Sequence, residues 1–553
     1  MTELTSRSRV TAPRSRAGNT ARSTLAGTGP LTALALRRDR VMLVIWIYVF
    51  AAFVAATVYG FKNLYPSAPA REMFVLASNH NATLLTIYGP FYGHSLGSFT
   101  AWRDTTIGAL LAAIMAIFIV VRHSRGDEES GRLELVGSAA VGRHAALVAG
   151  MLVACLASFA VFVVLAVIPI AFGLPAAGSI AFAAGVALCG LVFTAVAAVT
   201  AQLAQTARSA RGLAIGVLLA VFLLRAIGDS VSVSGPGWLR WLSPIGWAEL
   251  TRPFGVIRWW VLALPLAAAL LAGVAAALLT IQRDYDSGLL ATRTGRPGAA
   301  ASLRSPFALA WRLQRATVIA WVLGALVYGV GVGSAAKGIR GLLGSAQVRR
   351  TIARIGGQAG LTNAYLAALV SLTGMAVAGF AISAVLRLRS EETDQRADPV
   401  LATRTSRIGW ALSHIVIAVG GTLVILAVAG TAIGLGHGAR AGSLGNEVAR
   451  MAGAALAQAP AVLAMAGLAA ALFGLVPRIT AAASWGVLGV AVLLVFFGDS
   501  LQWPQWVLDL SPFTHAPRLP GGVVGAVPLT WLCALALALG AAGLIGLRRR
   551  DIL

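Results

Sequence analysis

Two loops of the chain repeat one pattern of acidic and basic residues. Residues 122–143 and 387–407 each contain a Glu-Glu pair, then an arginine close to another acid, then a closing arginine. Glu128 and Arg132 in the first loop have the i,i+4 spacing of a helical ion pair, as do Glu392 and Arg396 in the second; each such pair contributes roughly 0.2–0.5 kcal/mol. The pattern predicts either two solvated, salt-bridged loop helices or a docking element for a partner subunit. Its occurrence twice favours docking.

The chain has no motif for hydrolysing nucleotide itself. Its only lysines are Lys62 and Lys337, and neither stands in a GxxxxGK[ST] phosphate-binding loop. The three cysteines show no spacing typical of zinc ligands or of a disulfide scaffold. One DxxxD pair, Asp394 and Asp398, could hold magnesium, which keeps a membrane-embedded enzyme open as a minor alternative. Any ATP-driven work is therefore expected to depend on a separate protein.

A second polar group ends the fifth apolar run. Arg225 and Asp229 are an i,i+4 pair close to a tryptophan-rich segment. The favoured interpretation is an ion pair at the membrane interface, with the arginine extended toward the headgroups. The alternative is an outer gate, for which the candidate residues are Arg225, Asp229, Trp241, Pro244 and Pro512.

The composition indicates which elements must position these residues. The chain is 58% hydrophobic and only 12% charged, with a mean hydropathy of +0.81, whereas soluble domains carry about 25% charge. Isolated strands would leave backbone groups unpaired in lipid, so the apolar runs must be helices. The sequence predicts an all-α polytopic membrane protein with about twelve transmembrane helices. The predicted spans are 41–61, 103–121, 145–171, 179–202, 210–228, 259–281, 316–335, 363–386, 408–435, 449–475, 478–497 and 522–546.

Short motifs recur in the same order in the two halves of the chain. Gly228-Asp229-Ser230 corresponds to Gly498-Asp499-Ser500, and Arg283-Asp284 corresponds to Arg550-Asp551. Six spans per half give both halves the same orientation. The sequence therefore predicts two tandem six-helix repeats. The predicted divisions are a disordered cytoplasmic tail (1–30), a first half (31–284), a cytoplasmic linker (285–305) and a second half (306–553).

The distribution of arginine predicts the orientation in the plasma membrane. The formal net charge of +24 resides in short clusters between apolar runs, which fits the positive-inside rule and disfavours nucleic-acid binding. Both termini and both acidic-basic loops are expected to be cytoplasmic. One segment disagrees with this rule, because 336–362 is basic yet falls outside; we interpret it as an extracytoplasmic amphipathic helix.

The loop pattern, the Leu-Ser-Pro segments and the Arg-Asp endings resemble permease subunits of type-2 ABC exporters, in particular actinobacterial polyketide-antibiotic (tetronasin-type) and mycobacterial multidrug efflux permeases. The resemblance implies two docked ATPase subunits that hold ATP and magnesium, with no cofactor in this chain. It also implies connecting helices near 31–40 and 306–315. The residues implied in coupling to the ATPase are Glu128, Glu129, Arg132, Glu134, Arg143, Glu391, Glu392, Arg396, Asp398 and Arg407. The second loop departs from the pattern, since Gly131 is replaced by Asp394 or Gln395 and Glu134 by Asp398.

The expected cargo is a small hydrophobic or amphipathic compound that enters from the membrane lipids. The predicted spans hold few charged residues, and retained intramembrane charges usually mark ion pathways. An ion-coupled secondary transporter is therefore the alternative function, and it would work without an ATPase partner.

Overall fold

The computed structural model describes residues 24–79, 82–133, 141–230, 237–283, 288–290, 298, 300, 303–335, 361–497 and 503–550. Within these residues the secondary structure is helical, and eleven helices are long and apolar enough to cross a membrane. The chain is thus an all-α polytopic membrane protein, as the sequence predicts. It divides into unit 1, Met1–Thr294, and unit 2, Gly295–Leu553.

Unit 1 contains six long helices connected by shorter ones. Short helices cover Ala68–Asn79 and Ala82–Tyr88 between the first two long helices, and Pro244–Leu250 before the last. The long helices are α1 (Thr28–Leu64), α2 (Leu96–Val121), α3 (Ala145–Ala171), α4 (Ala176–Leu203), α5 (Ala207–Ser230) and α6 (Ala263–Gln282).

Unit 2 repeats this order. The tenth predicted span consists of two consecutive helices, Leu444–Leu456 and then α10. The eleventh predicted span is not among the eleven candidate membrane helices, because its apolar part covers only Thr480–Val495. The long helices are α7 (Pro306–Ala335), α8 (Leu361–Thr393), α9 (Arg407–Ala441), α10 (Ala459–Leu475), α11 (Thr480–Phe497) and α12 (Ala526–Arg549).

Small residues let these helices approach closely. A Cβ added at Gly467 would lie 2.7 Å from the Ala536 carbonyl oxygen of α12, and one at Gly546 would lie 2.8 Å from the Gly474 carbonyl oxygen of α10. Such backbone contact is the usual way in which membrane helices associate, since lipid provides no hydrophobic drive between them. The alanine- and glycine-rich composition is therefore what allows each unit to pack.

The first helix of each unit is longer than predicted. The segments 31–40 and 306–315, expected to be separate connecting helices, are continuous with α1 and α7. At 37 residues, α1 extends for about 55 Å, more than the ~30 Å of a hydrocarbon core. Helix α1 begins at Thr28, within the predicted tail, of which 1–23 lie outside the described residues. Most of the basic segment, 336–360, also lies outside them.

Candidate functional site

In unit 1, the acidic-basic loop begins as a continuation of α2. The chain passes through a π-helical turn, Arg122–Gly126, and a short helix, Asp127–Glu129, before Gly131 reverses it at φ 68°. The wider π turn directs His123 and Arg125 inward, where both are buried. We refer to this side of each unit, which carries the acidic-basic loop, as the loop end, and to the opposite side as the far end.

A buried aspartate of α1 fixes the start of this loop. The Asp39 carboxylate lies 2.6 Å from His123 Nε2 and 2.9 Å from Arg122 Nη1, and its side chain is fully buried. One residue away, Arg38 pairs with Asp127 at 2.6 Å. Burying a carboxylate is costly unless it is paired, so these contacts hold α1 and the loop in a single arrangement.

The first glutamate of the Glu-Glu pair binds the end of the last helix of the unit. Glu128 forms ion pairs with Arg125 (3.3 Å) and with Arg283, which follows α6 directly. Arg283 also donates a 2.8 Å hydrogen bond to the Gln202 side chain. The closing arginine, Arg143, donates to the Arg283 carbonyl at 3.4 Å. The loop is therefore clamped to the C-terminus of α6 through both the side chain and the backbone of Arg283.

Unit 2 forms the same clamp from its own residues. Glu392 pairs with Arg550, which follows α12, at 2.7 Å, and the closing Arg407 donates to the Arg550 carbonyl at 2.8 Å. Glu391 pairs with Arg387 at 2.6 Å and with Arg396 at 3.4 Å. Because the two clamps join corresponding motifs, the repeat extends from the sequence to the contacts.

The helical ion pairs predicted for both loops are wrong. The regular helix ends at Glu129 in unit 1 and at Thr393 in unit 2, before the arginine in each case. Gly131 and Gln395, which precede these arginines, both adopt positive φ, 68° and 54°. This conformation favours glycine, so it also identifies Gln395 as the counterpart of Gly131.

The turn gives the arginines other partners. Arg132 lies 3.3 Å from Asp127 Oδ1 instead of pairing with Glu128 in the helical manner. Arg396 contacts Glu391 and Asp394, while Glu392 binds Arg550.

The residues predicted for coupling thus separate into two groups. Glu128, Glu391 and Glu392 are turned inward, and their side chains are 7–10% exposed. Glu129 is exposed, although its carboxylate accepts a 3.0 Å hydrogen bond from the backbone N–H of Ala207. Glu134 lies outside the described residues. The polar residues that reach solvent from the two loop tips include Glu129, Ser130, Arg132, Asp394, Gln395, Arg396 and Asp398.

At the far end of unit 1, Arg225 is the centre of a buried ion network. Its Nε lies 2.9 Å from Asp229 and its Nη2 lies 2.8 Å from Glu249. Its Nη1 donates to the carbonyls of Thr86 and Ile87 at 2.9 and 3.0 Å. Arg225 and Asp229 are both 0% exposed, so the prediction of an arginine extended toward the headgroups is wrong. The network joins α5 to the far-end segments around 82–92 and 244–250.

Aromatic residues surround this network. Trp241 stacks on Trp260 with ring centroids 5.7 Å apart, and its carbonyl accepts a 2.6 Å hydrogen bond from Trp247. Burial, followed by the negative charge of Glu249, raises the pKa of Tyr92 to about 12, so this phenol remains neutral at physiological pH.

The two prolines proposed for the outer gate lie in different units. Pro244 is buried and begins the helix Pro244–Leu250, which Ser243 caps. Pro512 lies in unit 2 after Ser511, whose hydroxyl donates a 3.2 Å hydrogen bond to the Ala491 carbonyl. Trp241 and Pro244 therefore border the Arg225 network, whereas Pro512 belongs to the corresponding region of unit 2.

Gly89 provides a test of how tightly this network is closed. It adopts φ 80°, and an added Cβ would lie 2.7 Å from Glu249 Oε2 and 3.1 Å from Arg225 Nη2. We expect Gly89→Ala to destabilise the protein by about 1–3 kcal/mol, from left-handed backbone strain together with displacement of the Glu249 carboxylate. Thermal unfolding of the purified variant in detergent measures this effect. Gly60→Ala is the matched control, because a Cβ there meets nothing within 4 Å; equal melting of the two variants would contradict the prediction.

Sequence reasoning missed three buried acids. Asp39 lies in the segment 31–40, which is expected to be a connecting helix, and Glu249 lies in the tryptophan-rich segment that follows the fifth apolar run. Asp104, in α2, is 1% exposed and accepts a 3.0 Å hydrogen bond from Thr57. The sequence signal that could have identified Asp104 is a single acid within an apolar run, because Asp104 is the second residue of the predicted span 103–121.

Known proteins with similar sequences identify the family. Residues 303–548 match a family model described as the C-terminal domain of the multidrug efflux system permease Rv1217c. Over 529 residues the chain is 42% identical to the multidrug efflux system permease protein Rv1217c of Mycobacterium tuberculosis, an alignment that covers 95% of each protein. The chain belongs to this family of multidrug efflux permeases. The resemblance drawn from the loop motifs is therefore confirmed.

The family assignment places the clamps and the buried network in a drug-efflux permease. The family model covers nearly all of unit 2 from α7 to α12, while the alignment with the mycobacterial permease includes most of unit 1 as well. Both acidic-basic loops are thus features of a transporter subunit rather than of an enzyme.

Proposed function

We propose that this efflux permease is the membrane subunit of an ATP-driven ABC exporter. It moves hydrophobic or amphipathic compounds, including antibiotics and drugs, out of the cell. Two ATPase subunits dock on the loops 122–143 and 387–407 and hold the ATP and magnesium. Both termini lie in the cytoplasm, and the loop ends of both units face the ATPases in the plasma membrane.

One observation carries this proposal: in each unit, an exposed loop tip is clamped to the end of the last helix. A partner that pushes on Arg132 or Arg396 would move the loop, and the Glu128–Arg283 or Glu392–Arg550 pair would transmit the displacement to α6 or α12. A loop that only faced solvent would have no need of such a connection. The tips also carry both signs of charge, which suits docking through ion pairs.

The docking step is tested by co-purification with the ATPase subunit. Arg132→Glu reverses the charge of a side chain that is 58% exposed without removing a buried contact. We expect this variant to fold but to lose most of the bound ATPase, and Arg132→Glu combined with Arg396→Glu to lose nearly all of it. Arg208→Glu is the matched control, because Arg208 is an exposed arginine on α5 outside both loops. Undiminished binding by the double variant would refute docking at these tips.

Asp104 supports ion-coupled transport as a second candidate function. Its Oδ1 is bound by Thr57, but its buried Oδ2 has no hydrogen-bond partner among the described residues. A carboxyl group buried in a membrane helix in this state is a site where a proton could bind and leave. Asp104→Asn would abolish transport by an ion-coupled carrier and would leave ATP-driven transport largely intact.

A further inference from the structure

The two units differ at one corresponding position of their far ends. In unit 1, the buried side chains of Arg225 and Glu249 fill this position. In the sequence repeat set by the Gly-Asp-Ser and Leu-Ser-Pro motifs, Val495 stands where Arg225 does, and Pro517 stands where Glu249 does. Unit 2 therefore has neither of the two charged side chains that close unit 1.

A cavity of about 180 Å³ lies at this position in unit 2. We call it the head cavity; it lies between α8, α11 and residues 505–518. Val495 and Met375 give it apolar walls, while Ser371, Gln505 and Arg518 supply polar groups. Arg518 is the charged residue among the described lining residues; the nearby Asp509 carboxylate, which accepts a 2.9 Å hydrogen bond from Gln505, is exposed and does not line the cavity. The surroundings therefore suit a polar group of negative charge rather than a cation.

A larger cavity of about 540 Å³ lies on the neighbouring face of α8. We call it the body cavity; Leu372 lines both cavities, so they adjoin. Its walls are apolar and include Trp321, Tyr328 and Ile425. Gly324 makes room for this space, because a Cβ added there meets nothing within 4 Å. The volume is in the range of sites that bind drug-sized molecules, which combine apolar walls with a few polar groups.

We propose that the head and body cavities of unit 2 together bind one amphipathic molecule with a negatively charged head. The apolar body occupies the space beside Trp321 and Tyr328, and the head lies near Ser371, Gln505 and Arg518. Among the described residues of unit 1, the buried side chains of Arg225 and Glu249 fill the corresponding position. The inference rests on the proposed function in one respect: the bound molecule is a cargo of the exporter.

The test compares two probes that share one ring system. Anilinonaphthalene sulfonate carries an anionic head, whereas phenylnaphthylamine is its neutral counterpart. Equilibrium binding of each radiolabelled probe is measured on the full chain in nanodiscs of neutral lipid, with empty nanodiscs subtracted. We expect saturable binding of one probe molecule per chain, with tighter binding of the sulfonate.

Three substitutions assign the two cavities. Gly324→Phe fills the body cavity and should weaken both probes by about tenfold or more. Arg518→Gln should weaken only the sulfonate. Gly540→Phe on α12 is the matched control, since a Cβ there also meets nothing within 4 Å and α12 lines neither cavity; this variant should bind both probes like wild type. If Gly324→Phe does not fold, Ala376→Phe approaches the same cavity from α8.

Several outcomes would overturn the inference. Binding that does not saturate, or that Gly324→Phe and Gly540→Phe weaken equally, would show that the probes enter lipid or another surface. Equal weakening of both probes by Arg518→Gln would refute the placement of the head. The measurement includes neither ATPase nor ion gradient, so a failure of the ATP-driven mechanism would leave this binding intact, and a failure of binding would leave ATP-driven transport untouched.

Discussion

Replacing Arg225 by glutamine is expected to destabilise the protein by about 3–5 kcal/mol. The change removes the cation that neutralises two acids, Asp229 and Glu249, which are 0% and 7% exposed. It also removes the donor to the Thr86 and Ile87 carbonyls. Thermal unfolding of the purified protein in detergent, followed by the loss of the monodisperse peak, should show a large decrease in the transition temperature.

A second variant separates the loss of charge balance from a loss of packing. Glu249→Gln in the Arg225→Gln background removes one of the stranded acids, so the double variant should recover part of the lost stability. The same Gln substitution at Val495, the counterpart of Arg225 in unit 2, should have a much smaller effect, because no ion network depends on that side chain. If Arg225→Gln unfolded at the wild-type transition temperature, the network would not be what holds the far end together.

Removing the ion pair from both loop clamps is expected to separate ATP hydrolysis from transport. Arg283→Gln and Arg550→Gln remove the partners of Glu128 and Glu392 but leave the exposed loop tips unchanged. The ATPase subunits should therefore still bind and hydrolyse ATP. Transport should fall by at least about tenfold, because only the hydrogen bonds from Arg143 and Arg407 to the backbone carbonyls of residues 283 and 550 still join the loops to α6 and α12. Both activities are measured on the same proteoliposomes.

Arg389→Gln is the control for this pair of substitutions. Arg389 lies in the second loop, but its side chain contacts the exposed carbonyl of Arg478 at 3.3 Å rather than a buried acid. It should transport at close to the wild-type rate. Transport by Arg283→Gln/Arg550→Gln that remained proportional to hydrolysis would mean that the clamps do not transmit movement.

The long helices could be predicted from the sequence because each one depends on a local property, the length of its own apolar run. A bilayer requires about 20 apolar residues and pairs every backbone group within the helix. This is why α3, predicted as 145–171, has those bounds in the structure. The predictions were least accurate where the helix leaves the apolar run, as at the start of α1, because continuation there depends on packing against α3 rather than on hydropathy.

The contacts of the candidate site could not be read from local patterns. Arg225 and Glu249 lie on different helices, and Glu128 meets Arg283 only after four long helices have packed. The helical pairs failed for a related reason. Gly131 follows the loop helix of unit 1 and Gln395 follows that of unit 2, and both have positive φ. Of the two residue types, only glycine indicates such a turn in the sequence. What the sequence revealed was the repetition of these residues, and the repetition proved to correspond to repeated contacts.

The energy source of transport distinguishes ATP-driven efflux from ion-coupled efflux. Proteoliposomes that contain this chain with its ATPase subunits should accumulate a hydrophobic drug on ATP addition without any ion gradient. The Arg132→Glu/Arg396→Glu variant should not do so, and Asp104→Asn should still do so. Transport by the chain alone, driven by a proton gradient and abolished by Asp104→Asn, would contradict the proposed mechanism.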